Sequence, residues 1–467
     1  MRRPFWTTLC AVFGLFALGG AVMCAARLDQ GGFAAHIFVA AATVALALLA
    51  LLLLKLDRAH GGAMLAALLP IGIALLFRVL CLDYASLDYQ DFLSKWYEYF
   101  ASNGGFRAMA GSIGDYNVPY LYFMAAISYL KLPNLYMIKL FSVLFDILLA
   151  WGGFRLVRVL RGGRHRDPAP VIAFALLLLL PTVALNGACW GQCDSLYAAL
   201  VVHAMAQVLS GRNKSSVILL AVAFSFKLQT VFLIPLWGVL WLAKRVKLWE
   251  LLLFPVTYAV TIVPALLMGK PLGEILGVYL NQMEEYSYRL TLNAPSVFQF
   301  VPYGAEVNAD LLSKLGIVAA GVVAVAMLVL GWLLRRRLSI RTAMAMAAVM
   351  AIGIPFFLPY MHERYFFLAD VICLCWACAA PRHTPAAVLA AGSSLASYLV
   401  YLRLEYNWVF LLGGKWFVMG GETIAMLAAL LFSAVMLVLE LKKGGKKRET
   451  GIVECERPES LPEEGLS

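Results

Sequence analysis

Three short polar clusters interrupt an otherwise apolar chain, and their side chains suit phosphate and proton chemistry. Pro359-Tyr360-Met361-His362-Glu363-Arg364-Tyr365 sets three titratable residues in a row after a proline. A histidine there can donate to a phosphate or shuttle a proton, and an arginine can bind one with its planar fork. Trp190-Gly191-Gln192-Cys193-Asp194 offers an amide and a carboxylate. Phe226-Lys227-Leu228-Gln229 offers a cation and an amide. Asp194 could instead cap the helix that begins there, and Lys227 could snorkel from an apolar face. The longest polar stretch, Asp83 to Tyr122, carries Asp83, Asp88, Asp91 and Asp115 among aromatics that include Tyr89, Trp96 and Tyr116. It is either a solvated connector or the place where a carboxylate acts.

The elements that must position these residues are membrane helices. The chain has 467 residues, 62% of them hydrophobic and 14% charged, against roughly 25% charged in soluble domains. Apolar runs of about 20 residues recur throughout, so the sequence predicts one all-α polytopic membrane domain over 1–443. The net charge of +11 comes from short basic clusters between these runs, such as Arg155 to Arg166, Lys244 to Lys247 and Arg335 to Arg337. Such clusters mark cytoplasmic loops and give no reason to expect nucleic-acid binding. Phosphate-cradling glycine motifs are absent. Cys373, Cys375 and Cys378 fall within an apolar run and read as small buried helix residues.

Alternating the loops by charge predicts about 14 spans, near 5–26, 33–54, 62–82, 134–154, 169–187, 192–209, 215–227, 229–243, 248–268, 312–334, 341–358, 365–380, 385–402 and 417–440. The pair 215–227 and 229–243 is short and could be one broken unit. The segment 118–131 is apolar, but a crossing there would put Arg155 to Arg166 outside, so it is expected to be re-entrant or interfacial. Loops 83–133, 269–311, 359–365 and 403–416 then share the extracytoplasmic face, with both termini cytoplasmic. The tail 444–467 is polar, aperiodic and expected to be disordered.

The motifs fall in an order that resembles a known family. Asp88-Tyr89 with Phe92-Leu93 and Trp96, Gly114-Asp115-Tyr116-Asn117-Val118-Pro119, Ile138-Lys139 through Asp146, Trp190-Gly191-Gln192 with Asp194, Phe226-Lys227 with Gln229, and Met361-His362-Glu363-Arg364-Tyr365 carry the likeness. Together they are similar to the bacterial membrane mannosyltransferases related to PIG-V, the enzyme that adds the second mannose in GPI-anchor assembly, within the GT-C class of glycosyltransferases. The likeness covers about residues 62–380. It implies a GT-C-like helical bundle in the cell membrane with a large catalytic first external loop. It also implies a polyprenyl-phosphate sugar donor, and a lipid, glycan or protein acceptor presented from outside. Carried onto this chain, Asp88 is the base, with Asp91 second. Asp115, Tyr116, Trp190, Gln192, Asp194, Lys227, Gln229, His362, Glu363 and Arg364 bind substrate. No cofactor is required by this reading, and a divalent metal is an open addition.

The chemistry is consistent on its own terms. Displacement at an anomeric carbon passes through an oxocarbenium-like state, so a carboxylate of raised pKa takes the acceptor proton and cations hold the leaving phosphate. Lys227, His362 and Arg364 are expected to form that clamp, and the loop 269–311, with Tyr286, Tyr288, Arg289 and Asn293, a facing wall. The competing class is transport, a lipid-linked sugar flippase or carrier, which would place ionisable residues at the midplane in two repeated halves. A third class is a non-catalytic envelope partner.

Overall fold

The structure is a computed structural model that describes residues 2–164, 166–285, 289–301, 307–335, 337–402 and 415–449. Tyr286, Tyr288, Arg336 and the segment 403–414 lie outside the described residues.

Among the described residues nine helices are long and apolar enough to cross a bilayer: Phe5–Ala25, Gly32–Leu56, Gly61–Leu80, Asn134–Leu160, Leu248–Leu267, Ala309–Leu333, Ile340–Phe357, Pro381–Leu402 and Met419–Lys443. At 1.5 Å per residue, helices of this size match a hydrocarbon core of about 30 Å. The pair Ala169–Leu179 and Pro181–Trp190, bent by 50°, adds a tenth if it counts as one span. Pro181 explains the bend, because its ring excludes the helical region for the residue before it, and Leu180 is extended at φ −60°, ψ 120°. The protein is therefore an all-α polytopic membrane protein.

The remaining expected spans are shorter helices: Asp194–Leu209, Asn213–Phe226, Leu228–Leu242 and Phe367–Ala379. Lys227 is extended between the second and third of these, at φ −147°, ψ 134°, so the pair 215–243 is broken at the lysine. The apolar segment 118–131 forms the ten-residue helix Val118–Ile127. Its rise of about 15 Å is half a hydrocarbon core. Seven of its residues are buried in protein. The last helix continues through Glu449, past the start of the expected tail, and 450–467 lie outside the described residues.

The helix Asn134–Leu160 runs through the interior of the bundle. It is 67% buried and Ile340–Phe357 83%, against 17% for the peripheral Phe5–Ala25 and Leu248–Leu267. Inside the bundle Arg78 Nε donates to Asp146 Oδ2 at 2.7 Å, Arg78 Nη1 to the carbonyls of Ala74 and Leu178, and Ser195 Oγ to Asp146 Oδ1. This ion pair joins four helices, and the buried Arg78 Nη2 has no hydrogen-bond partner. Lys139 Nζ donates to the carbonyls of Cys81, Leu82 and Tyr84. It thereby caps the end of Gly61–Leu80 with a positive charge. The first and third long helices touch backbone to backbone: a Cβ on Gly72 would lie 2.2 Å from the Gly14 carbonyl oxygen, and one on Gly14 2.3 Å from the Leu68 carbonyl carbon. Only glycine fits there.

Two ends of this bundle carry different chemistry. At the N-terminal end of Asn134–Leu160, Tyr89 donates to Asn134 Oδ1 at 2.6 Å. At its C-terminal end, Asp57 faces Arg155 at 3.5 Å and Arg158 at 3.9 Å. The loop carrying Asp88 and the arginine cluster therefore sit at opposite ends of one helix.

Candidate functional site

Asp88 is positioned by the turn that follows the third helix. Ser86 Oγ donates to the Trp190 carbonyl at 2.5 Å and accepts from the Tyr89 N–H at 3.2 Å, which tethers the turn to Trp190. Trp190 ends the bent segment, and Gly191 at φ +83° reverses the chain, a conformation that favours glycine. The reversal aims the side chains of Trp190 and Gln192 at Asp88. Trp190 Nε1 donates to Asp88 Oδ2 at 2.9 Å, and Gln192 Nε2 donates to the same oxygen at 2.5 Å. Tyr401 donates its hydroxyl to Asp88 Oδ1 and stacks on Trp190 with centroids 4.3 Å apart.

A second carboxylate lies behind the first. Asp194 Oδ1 accepts from Lys227 Nζ at 2.5 Å, and Asp194 Oδ2 accepts from Asn186 Nδ2 at 2.6 Å. Asn186 Nδ2 also donates to the Tyr398 hydroxyl at 3.1 Å. Asp194 opens the helix Asp194–Leu209, but its carboxylate faces Lys227 and Asn186, so side-chain capping is not its role. Arg364 joins the two carboxylates: its Nη1 lies 3.5 Å from Asp88 Oδ2 and its Nε 3.8 Å from Asp194 Oδ2. The guanidinium covers the rings of Trp190 and Tyr365 at 5.6 and 5.7 Å, and its buried Nε has no hydrogen-bond partner. Tyr116 donates to Gln192 Oε1 at 2.7 Å and lies under Lys227 Nζ at 5.0 Å. Gln229 is buried beside Tyr365.

The segment Met361–Tyr365 is held from the side of the long loop. Thr291–Leu292 and Met361–His362 form a two-residue parallel ladder, Asn293 bridges to His362, and the Tyr360 N–H donates to the Leu290 carbonyl at 2.8 Å. His362 Nδ1 stands 3.7 Å from Glu363 Oε2.

The electrostatics differ from the sequence-based expectation in two ways. Burial pushes the Asp88 carboxyl up, but the Arg364 charge and the bonds from Tyr401, Trp190 and Gln192 outweigh it and leave Asp88 below its usual range. A raised pKa was expected of the base; the neighbouring cation and three donors reverse that. Lys227 and Arg364, expected to form a phosphate clamp, are only 3% and 12% exposed and already face carboxylates. Burial holds His362 below its usual value, with Glu363 opposing.

The expected residues divide accordingly. Asp88, Tyr116, Trp190, Gln192, Asp194, Lys227 and Arg364 meet in one network, with Gln229, His362 and Glu363 beside it. Asp91 stays outside it, exposed and 3.9 Å from Lys95. Asp115 is half-buried in a neighbouring cleft, where burial raises its carboxyl above the usual value. Tyr401, Asn186 and Tyr398 were missed. Asn186 left a signal, an amide inside a predicted span, while Tyr398 and Tyr401 look like ordinary core aromatics. No group of three His, Cys, Asp or Glu side chains able to hold a metal occurs among the described residues. The oxygens of Asp88 and Asp194 already face N–H and O–H donors and cations, so these residues do not fit a divalent ion.

The network can hold one carboxylate ionised in a partly dry site, next to a guanidinium with spare donor capacity. No protein-family model matches the chain, and no curated protein matches it in sequence.

Proposed function

We propose that this chain is a GT-C-type glycosyltransferase of the cell membrane, with about 14 spans. It would move a hexose, mannose or a close relative, from a polyprenyl-phosphate donor to a hydroxyl of a lipid, glycan or protein acceptor. The reaction takes place on the extracytoplasmic face, and both termini are cytoplasmic. The observation that carries the reading is Asp88: a carboxylate fixed by Trp190, Gln192 and Tyr401, 15% exposed, with Arg364 3.5 Å away.

In this reaction the acceptor oxygen forms a bond to the anomeric carbon while the bond to the phosphate oxygen breaks, with inversion. The acceptor proton goes to Asp88, and the electron pair leaves on the polyprenyl phosphate. A carboxylate held this low accepts the proton only as the attacking oxygen becomes acidic, so proton transfer comes late in the displacement. Arg364, with an unpartnered Nε, and His362, as a hydrogen-bond donor, serve the departing phosphate. Lys227 acts through Asp194, which it holds at 2.5 Å.

The second reading, a lipid-linked sugar flippase, draws on the Arg78–Asp146 pair buried inside the bundle. That pair is tied to two carbonyls and a serine, which suits a fixed pin better than a moving gate. Purified protein in vesicles, given radiolabelled polyprenyl-phosphate hexoses and a membrane acceptor pool, separates the readings. The enzyme moves label onto an acceptor. Label that crosses the bilayer while still on its lipid would replace the enzyme with the flippase.

A further inference from the structure

A cleft of about 240 Å³, lined in part by Tyr116, opens between the loop 112–118 and the helix Leu272–Glu285. Asp115, Glu274 and Asn281 line it, with Leu121 as part of an apolar wall. Lys270 also lines it, but its Nζ donates to the Gly111 carbonyl at 2.9 Å and stands 3.4 Å from Glu274 Oε2. We propose that this cleft binds one neutral sugar ring of the acceptor, with Asp115 and Glu274 accepting hydrogen bonds from its hydroxyls. The proposal rests on the glycosyltransferase reading for the word acceptor, and on the cleft alone for the sugar.

Charge selects the ligand. With Asp115 and Glu274 set against the single cation Lys270, the cleft is net negative, which disfavours a phosphate group there, whereas the hydroxyls of a polyol can donate to its carboxylates. The cations suited to a phosphate, Arg364 and Lys227, are not among the residues that line it. Size limits the ligand as well. The volume falls below the roughly 300 Å³ at which sites for drug-sized ligands begin, which suits a single ring. Connection assigns it to the acceptor. Tyr116 lines the cleft and donates to Gln192 Oε1, while Gln192 Nε2 donates to Asp88. A ring held in the cleft therefore lies one hydrogen-bonded link from the side chain that orients the base.

The test uses the purified full chain in detergent, with methyl hexopyranosides as probes in saturation-transfer NMR. At least one methyl hexoside binds the wild type, and Asp115→Asn and Glu274→Gln each weaken it about tenfold or more, the size expected for losing a charge-assisted hydrogen bond. Glu274 is exposed enough that its variant keeps the fold even where Asp115→Asn does not. In the transfer assay the same variants raise the KM for acceptor about tenfold and leave the KM for the polyprenyl-phosphate donor unchanged. A rise in donor KM alone, or hexoside binding that survives both substitutions, overturns the proposal. So does the failure of every hexoside in the panel to bind the wild type. If the wild type transfers no sugar at all, the enzyme reading falls, and the NMR result still decides whether the cleft is a sugar site.

Discussion

Asp88→Asn separates proton acceptance from every other role of this side chain. In the wild type, Oδ2 accepts from Trp190 and Gln192, and Oδ1 accepts from the Tyr401 hydroxyl. An asparagine can place its oxygen at the first two donors and its amide toward Tyr401, whose hydroxyl can turn and accept. The geometry therefore survives, and two things are lost. One is the charge facing Arg364 at 3.5 Å, worth about 4–5 kcal/mol at an effective dielectric constant of about 20 before solvation is counted. Arg364 keeps Asp194 at 3.8 Å and both groups retain some water, so the net loss of stability should be smaller, about 1–3 kcal/mol. The other is the base itself, whose removal should lower turnover by about 10²–10⁴-fold, or about 2.7–5.4 kcal/mol of barrier. The assay is initial-rate transfer of radiolabelled hexose by detergent-purified variants, alongside thermal unfolding and donor binding. The expected result is a folded protein that binds donor and transfers poorly. Turnover within about threefold of wild type would refute the assignment of Asp88 as base.

Other outcomes follow from the same network. Lys227→Ala leaves buried Asp194 with Asn186 and, at 3.8 Å, Arg364, and should destabilise the protein by up to about 3–5 kcal/mol in thermal or denaturant unfolding. The pair Lys227→Met with Asp194→Asn should recover much of that loss, and failure to recover it means the ion pair is not what holds the junction. Because Asp88 is held below its usual value, its contribution to stability is present above its unfolded pKa and lost only as pH falls through the lower folded value. The acid limb of kcat/KM belonging to this group should likewise lie below about pH 4. Arg364→Gln and Tyr401→Phe each remove a cause of that depression and should move the limb upward, whereas a purely structural Tyr401 would leave it in place. Single cysteines near residues 88 and 161 should label from opposite sides of the membrane, and labelling from the same side would overturn the topology.

Much of the site was legible because polar residues stand out in an apolar chain. Asp88, Gln192, Asp194, Lys227 and Arg364 are far apart in sequence, yet each sits where a run of hydrocarbon is interrupted, and the bundle brings those interruptions together. What could not be read was which polar group faces which. Nothing in Phe226-Lys227-Leu228-Gln229 shows that the lysine will meet Asp194 instead of open water, because that depends on how the short helices are packed. Asp91 illustrates local geometry. In an α-helix it would share a face with Asp88, but the residues after Asp88 form a wider i→i+5 turn, which rotates it out to Lys95. Tyr401 was hidden for a different reason. A tyrosine at the end of an apolar helix carries no mark that distinguishes a core ring from a donor to a carboxylate. The long helices were predictable from composition, whereas the short ones depend on neighbours that shield their ends.

Arg364 stands between two carboxylates, and under the proposed reaction this makes the site's net charge change in time. Before reaction, Asp88 and Asp194 face Lys227 and Arg364, two charges of each sign, so these four groups together offer an incoming lipid phosphate no net attraction. When Asp88 takes the acceptor's proton, the set gains one positive charge, at the moment the departing phosphate gains negative charge. Arg364 is then free to turn from the neutralised Asp88 to the phosphate. Holding the product thus lasts as long as Asp88 keeps its proton, and losing that proton to water is what lets the spent lipid go.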